Sequence, residues 1–280
     1  MPELPEVESV RRIMERVLKG RRIAKAEVVP DDIMQFGQNP LTIQEALEGK
    51  LVTAVGRHGK YWWLELEEKP WLYGHLGMSG WIRELGAPTM RLKEHGNAPL
   101  DDETGRPRFL KLLLETEEGG RIAFTDGRRL GRMWLSSDPT QDDRLTKLGP
   151  DAYTALPELD ALIAILKKRK APLKALLLDQ GLFAGVGNWI ADETLYHARL
   201  SPKRLGSSLT PQEVAQLRKA LVDVLDHAVR VDADYEQFPE DWLFHHRWGG
   251  SKGTEFIDGK QIVREPVGGR TTAWVPEIQL

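Results

Sequence analysis

Cysteine is absent from all 280 residues. That removes disulfides, thiol nucleophiles and every cysteine-ligated zinc or iron–sulfur site. Histidine is scarce at seven, and only His245 and His246 are neighbours. Adjacent residues on an extended segment face opposite ways, so no compact histidine metal site is expected there. Long hydrophobic runs are missing as well: nothing approaches the ~18 apolar residues of a membrane span. The chain starts acidic and proline-bearing rather than basic then apolar, unlike a signal peptide. A basic surplus is also lacking. The net charge of −3 counts against the footprint expected of a nucleic-acid-binding protein, although the field that matters is local.

The remaining composition, 41% hydrophobic and 29% charged, is ordinary for a soluble globular protein, and the length suits two domains with a substantial core. A cytosolic protein is expected, nucleoid-associated if it binds DNA. Two basic clusters stand out: Lys167-Lys-Arg-Lys170 with Lys174, and Arg128-Arg129 with Arg132. Each could be a solvated face or a phosphate-binding patch.

Val7, Val10, Met14, Val17 and Leu18 recur at helical spacing, so residues 5–19 read as an amphipathic helix closed by Gly20. Strand-like runs follow at Lys25 to Val29, Leu51 to Val55, Tyr61 to Leu66, Trp71 to His75, Trp81 to Arg83, Phe109 to Glu115 and Arg121 to Phe124. Many short strands between turn residues suggest a β-sandwich or barrel. Ile43 to Leu47 suits a short helix, and residues 86–107 a long polar loop. Leu148-Gly-Pro150 marks a boundary. Helical patterns then cover Leu159 to Lys168, Pro172 to Asp179, Trp189 to Ala198 and Pro211 to Val229. Short strands return at the end. Asp258-Gly259 predicts a two-residue hairpin, and Gly268-Gly269 a second tight turn.

The first eight residues, Met1-Pro-Glu-Leu-Pro-Glu-Val-Glu8, concentrate one chemistry. A small second residue allows the initiator methionine to be trimmed, leaving a secondary amine at Pro2. An α-amino group titrates near ~8, and a secondary amine attacking an aldehyde-like carbon forms an iminium directly. Glu3 and Glu6 would stand beside it as proton donor or electrostatic partner. The plain alternative is a helix start, with Pro5 in the first turn and Glu6 and Glu8 at its positive end. Five glycine-rich stretches could approach a ligand: Arg57-His-Gly-Lys60, Gly74-His-Leu-Gly-Met-Ser-Gly80, Thr125-Asp-Gly-Arg-Arg-Leu-Gly131, Gly185-Val-Gly-Asn188, and Gly268-Gly269 with Arg270. Asn188 suits the N-cap of a helix whose free N–H groups would receive a phosphate. Arg270 could fork two donors onto another. Any one of these alone could be an ordinary turn.

Taken together and in order, the octet, Gly59-Lys-Tyr61, His75-Leu-Gly-Met-Ser-Gly80, Asp126 to Gly131, Gly185-Val-Gly-Asn188 and Gly269-Arg-Thr-Thr272 resemble the Fpg/Nei family of DNA glycosylases/AP lyases, and span nearly the whole chain. Leu4 in the octet points to the formamidopyrimidine branch. The resemblance implies an α+β multidomain protein: an N-terminal helix plus β-sandwich catalytic domain (1–136), a helical helix–two-turn–helix domain (150–238) and a C-terminal finger (239–280). It implies double-stranded DNA containing oxidised bases or abasic sites as the partner, no cofactor, no membrane and a monomer. The compartment would be cytoplasmic and nucleoid-associated in a bacterium, nuclear in a eukaryote. Only the DNA-facing surface then needs to be basic, consistent with the negative net charge. Carried over by position, Pro2 attacks C1′ of the damaged nucleotide, Glu3 protonates the opening sugar, Glu6 assists, and Lys60 contacts phosphate and supports catalysis. His75 and Arg128 contact backbone phosphates, Met78 fills the gap left by the flipped base, and Lys170, Asn188 and Arg270 grip further phosphates.

Two features depart from the family pattern. The usual finger carries four zinc-binding cysteines; here Val275 and Ile278 occupy the second pair's positions, as in the zincless finger of plant and fungal members. Packing of Phe256, Ile257, Trp274, Val275 and Ile278 is expected to hold the hairpin instead. Leu130 stands where the purine-specific branch carries a wedging phenylalanine, which weakens stacking against the opposite base. The segment Val231 to Pro239 is short for a loop capping 8-oxoguanine, so formamidopyrimidines, hydantoins and abasic sites are the expected substrates ahead of it. The rival reading, a protein that binds damaged DNA without cutting it, leaves Pro2, Glu3, Glu6 and Lys60 without a purpose.

Overall fold

The computed structural model describes residues 1–88, 99, 101–248 and 256–280. Half of the expected 86–107 loop, residues 89–98 and 100, lies outside them. The chain divides into two compact units: Met1–Thr146 with Asp232–Tyr235, and Lys147–Val231 with Glu236–Leu280.

The first unit opens with helix α1 (Leu4–Leu18). Its stripe of Val7, Val10, Met14, Val17 and Leu18 is buried, each side chain contributing about 1.5–3 kcal/mol by leaving water. Eight strands follow: β1 (Ile23–Val28), β2 (Val52–His58), β3 (Tyr61–Leu66), β4 (Trp71–His75), β5 (Trp81–Glu84), β6 (Leu110–Thr116), β7 (Arg121–Thr125) and β8 (Arg132–Ser136). Helix α2 (Pro40–Leu47) is longer than the expected piece, because Asn39 caps it and Pro40 fits its first turn. Helix α3 (Asp143–Thr146) is one turn. The strands form two antiparallel four-stranded sheets, ordered β1-β6-β7-β5 and β2-β3-β4-β8. Alternate residues of each face one shared core. Trp62 of β3 and Phe124 of β7 meet edge to face across it, with ring centroids 6.1 Å apart. Gly74 makes room for that indole: a Cβ there would lie 2.1 Å from the Trp62 ring.

Strand β8 is an addition to the sequence reading. Its five residues begin beside a glycine loop and are too short for a period-two pattern to stand out, yet they pair fully with β4, from Trp71↔Ser136 to His75↔Arg132. Phe109 departs the other way. It was expected to open β6, but its φ of 59° takes it off the strand, and it is 53% exposed.

The second unit holds α4 (Leu159–Lys167), α5 (Leu173–Leu178), α6 (Asn188–His197) and α7 (Pro211–Arg230), all near their expected bounds. A Thr210/Glu213 capping box starts α7. Then come two hairpins, β9 (Phe256–Ile257) with β10 (Lys260–Gln261), and β11 (Val263–Val267) with β12 (Arg270–Trp274). Both turns use consecutive left-handed residues, Asp258-Gly259 and Gly268-Gly269, the backbone that a two-residue hairpin requires. The finger packs on Leu243, Ile257, Ile262, Ala273 and Val275, with Ile278 and Tyr196 against them. Phe256, expected in that cluster, is instead 54% exposed: it pairs at the outer end of a two-residue strand, where no neighbouring layer of the described residues covers it. Among the described residues no group of three or more histidine, aspartate or glutamate side chains is gathered for a metal, and without cysteines the finger lacks the donors a structural zinc needs. Among the same residues no helix is long and apolar enough to cross a membrane.

Candidate active site and nucleic-acid interface

The N-terminal octet is both readings at once. Glu3 is the N-cap of α1 in extended backbone, its carboxylate accepts the Glu6 amide, and the Glu3 amide donates to Glu6 Oε2 at 3.1 Å. This reciprocal capping box holds Glu3 and Glu6 at 1% and 6% exposure, with Pro2 buried beside them. A helix start thereby fixes two carboxylates next to the residue whose nitrogen becomes an amine once Met1 is removed.

Lys60 sits on the β2–β3 turn, 7% exposed. What aligns that turn with α1 is Arg57, whose Nε donates to Glu8 Oε2 at 2.9 Å and whose guanidinium also holds the Gly59 carbonyl at 3.1 Å. The two side chains are 3% and 11% exposed. Burial alone would raise the Glu8 pKa, but hydrogen bonds from Arg11 and Arg57 bring it below the ordinary carboxylate value. The helix bearing Pro2, Glu3 and Glu6 is thus joined to the turn bearing Lys60 by a buried ion pair. Sequence reading passed over this pair, because Glu8 and Arg57 are far apart in the chain and each resembles an ordinary surface charge.

His75 ends β4, and its ring lies 4.9 Å from that of Tyr61, the residue after Lys60. Burial first, then the charges of Lys60 and Arg132, lower its pKa to about 4, so the imidazole is neutral at pH 7. Nδ1 accepts the Gly77 amide at 2.9 Å, which leaves Nε2 to carry the proton. His75 can therefore offer a phosphate a neutral donor.

Asp126 organises the neighbouring loops. Wholly buried, it accepts Ser79 Oγ at 2.7 Å and the Arg128 amide at 3.0 Å on Oδ1, and the Leu130 and Gly131 amides at 2.8 and 2.7 Å on Oδ2. One carboxylate thus fastens the Met78 loop to the Arg128–Leu130 loop. Gly77 seals the join: at φ +64° its Cα lies so close to the Leu130 backbone that a Cβ would sit 2.3 Å from it. Met78 and Leu130 are left 43% and 37% exposed, high values for apolar side chains on anchored loops. Arg129 is drawn away to Asp31 in a two-pronged pair at 2.8 and 2.9 Å, whereas no ion pair holds the exposed Arg128 among the described residues. The sequence signal for Asp126 was present in Asp-Gly-Arg-Arg-Leu-Gly, an acceptor followed at short range by several free amides.

In the second unit Asn188 is the first residue of α6, one place past the expected cap, which is Gly187. The turn before it is shaped by Gln180, whose amide donates to the Leu178 and Val186 carbonyls and accepts the Gly185 N–H. Asn188 Nδ2 donates to the Thr271 carbonyl at 3.1 Å, next to the exposed Arg270 at the start of β12. Two of the residues expected to grip phosphate, Asn188 and Arg270, are therefore linked through the backbone of Thr271. Lys170 lies apart, exposed after α4. The lysine built into this region is Lys174, fully buried, donating to the Asn188 carbonyl at 2.8 Å and paired with Asp192. Asp192 also accepts Arg247 at 2.8 Å and the Ala273 amide at 3.2 Å, so one aspartate on α6 joins α5, the 247 segment and β12. Read along the chain, Lys174 is merely the tail of a basic cluster; its burial is visible only in three dimensions.

Residues 1–133 match the formamidopyrimidine-DNA glycosylase N-terminal domain, and residues 148–239 the formamidopyrimidine-DNA glycosylase H2TH domain. A formamidopyrimidine-DNA glycosylase of Arabidopsis thaliana is 39% identical over 279 residues, covering 100% of this chain and 71% of the relative. One from Pelotomaculum thermopropionicum is 31% identical over 293 residues, covering 100% and 99%. Among solved structures, Lactococcus lactis formamidopyrimidine-DNA glycosylase bound to DNA containing an abasic site superposes with a TM-score of 0.79 at 25% identity, over 99% of each chain. With both family domains matched and relatives aligned along the whole of this chain, it belongs to the formamidopyrimidine-DNA glycosylase family.

Proposed function

We propose that this protein is a bifunctional DNA glycosylase and AP lyase of base excision repair, acting on double-stranded DNA that carries oxidised bases or abasic sites. The observation that supports it best is the buried constellation at the start of α1: Pro2 preceding Glu3 and Glu6, which one capping box holds, with the Lys60 turn bolted to the same helix through Glu8 and Arg57. After removal of Met1, the Pro2 nitrogen attacks C1′ as the glycosidic bond breaks and the damaged base departs with a proton. Glu3 delivers a proton to the ring oxygen of the opening sugar. The nitrogen lone pair then closes to an iminium with loss of its own proton. Withdrawal of electrons into the iminium acidifies C2′; loss of that proton expels the 3′ phosphate, and a second elimination expels the 5′ phosphate. Lys60, His75, Arg128, Lys170, Asn188 and Arg270 hold backbone phosphates, and Met78 and Leu130 occupy the space vacated in the stack.

The finger is of the cysteine-free kind, and the chain is organised as catalytic (1–136), helical (150–238) and finger (239–280) segments. Formamidopyrimidines, hydantoins and abasic sites rank above 8-oxoguanine. In the cell the enzyme resides with the DNA, in the nucleoid of a bacterium or the nucleus of a eukaryote.

Borohydride reduction during turnover of an abasic-site duplex should trap a covalent adduct whose DNA maps to Pro2 by mass spectrometry. Placing an uncleavable residue ahead of Pro2 converts its nitrogen to an amide and should abolish both adduct and base release. Undiminished trapping in that variant would assign the nucleophile elsewhere.

A further inference from the structure

We propose that Phe109 is a base-stacking residue of the DNA-contacting rim of the first unit, supplying the aromatic surface that Leu130 does not. The inference rests on the glycosylase reading above.

Three observations single the residue out. Its ring is 53% exposed, so core packing does not account for it. Its backbone is left-handed at φ +59°, an uncommon state for a bulky side chain and one that persists where the surroundings impose it. Those surroundings are visible. The Phe109 carbonyl accepts the Asp126 amide at 3.0 Å, and the β6–β7 register shifts just beyond it, between Leu110 and Leu112. A bulge of this kind re-aims a side chain.

The ring is aimed at the Asp126 loop. It lies against Gly127, where an added Cβ would stand 3.2 Å from it. Asp126 carries the Arg128 and Leu130 amides and Ser79, the neighbour of Met78. The three exposed apolar side chains Met78, Phe109 and Leu130 therefore rise from backbone fastened to one buried residue, Asp126, through its carboxylate for the first and third and through its amide for Phe109. The exposed Arg128 belongs to the same Asp126 loop, and the Arg108 guanidinium lies 5.7 Å from the Phe109 ring centroid. An exposed aromatic ring with one arginine against it, on backbone shared with aliphatic wedges and a second exposed arginine, has the chemistry of a nucleobase platform: a π-face for the base, cations for its phosphates.

The test uses the full-length protein and duplexes carrying a tetrahydrofuran abasic analogue opposite each of the four bases. Phe109→Ala should weaken binding about tenfold, within the range for losing one stacked base. Phe109→Trp should restore it, whereas Phe109→Leu, which replaces volume without a π-face, should not. Phe109→Gly, which also relieves the left-handed strain, should keep the melting temperature at or above that of the parent and bind as weakly as the alanine variant. Parental affinity in the glycine variant, or rescue by leucine equal to that by tryptophan, overturns the proposal. Failure of the parent protein itself to bind or cut abasic DNA would instead sink the underlying glycosylase reading.

Discussion

At the scale of single residues, two titratable groups show how surroundings set charge. Glu8 is held below its ordinary value of 4.5 by Arg11 and Arg57 against the opposing effect of burial. A carboxylate with a lowered folded-state pKa contributes stability that is complete above its unfolded value and is lost as pH falls through the lowered one. Glu8→Gln leaves Arg57 without its carboxylate and should cost about 3 kcal/mol at pH 7. In urea titrations the gap to the parent should narrow below pH 4.5; a gap that stayed constant with pH would mean the pair contributes by packing alone. His75 runs the same way for an imidazole. With its pKa lowered to about 4 from 6.5, it stabilises the fold above 6.5, and the contribution is lost towards pH 4. Histidine NMR should accordingly show one ring titrating near 4, and no limb of the activity profile near 6.5 should shift when His75 is replaced by glutamine.

At the scale of elements, backbone segments far apart in sequence are locked by single buried carboxylates. Asp192 faces Lys174 and Arg247, which are 0% and 8% exposed. Asp192→Ala would remove the buried carboxylate that both cations share, at a cost of about 3–5 kcal/mol, readable as a lowered denaturation midpoint of the second unit. The Asp126 loops make a complementary case. Gly77→Ala adds a Cβ to a left-handed residue and drives it into the Leu130 backbone. It should destabilise by more than about 1 kcal/mol and weaken duplex binding by displacing Met78 and Leu130 together; unchanged affinity would mean the two loops act independently. These locks also mark where sequence reading stops. The α1 stripe, both glycine turns of the finger and the helix spans of the second unit were legible, because local periodicity and turn chemistry encode them. Strand β8, the bulge that expels Phe109 and the exposure of Phe256 were not, because each depends on a partner strand or layer supplied from elsewhere in the chain.

At the scale of the whole molecule, a chain of net charge −3 must hold DNA with few, well-placed cations. Binding should therefore weaken steeply with salt, and Arg270→Ala should reduce the slope of log K against log[salt] by about 1 without altering which lesion is preferred. An unchanged slope would remove Arg270 from the phosphate contacts. At this scale too, the finger's hairpins pack on Leu243, Ile262 and Val275, so its fold is expected not to depend on zinc. Prolonged treatment with a strong zinc chelator should leave strand cleavage and the unfolding midpoint intact, measured side by side; a loss reversed by added zinc would contradict this.

The sequence by itself determined the family, the placing of Pro2 beside Glu3 in a glutamate-rich helix start, and the absence of a cysteine-held metal, because these depend on residue identity and short-range order. Only the tertiary structure decided that Glu8–Arg57 aligns Lys60 with α1, that Lys174 rather than Lys170 is buried against Asp192, and that His75 is neutral. Burial, pKa and ion pairing are properties of what surrounds a side chain, and here those surroundings come from segments tens of residues away.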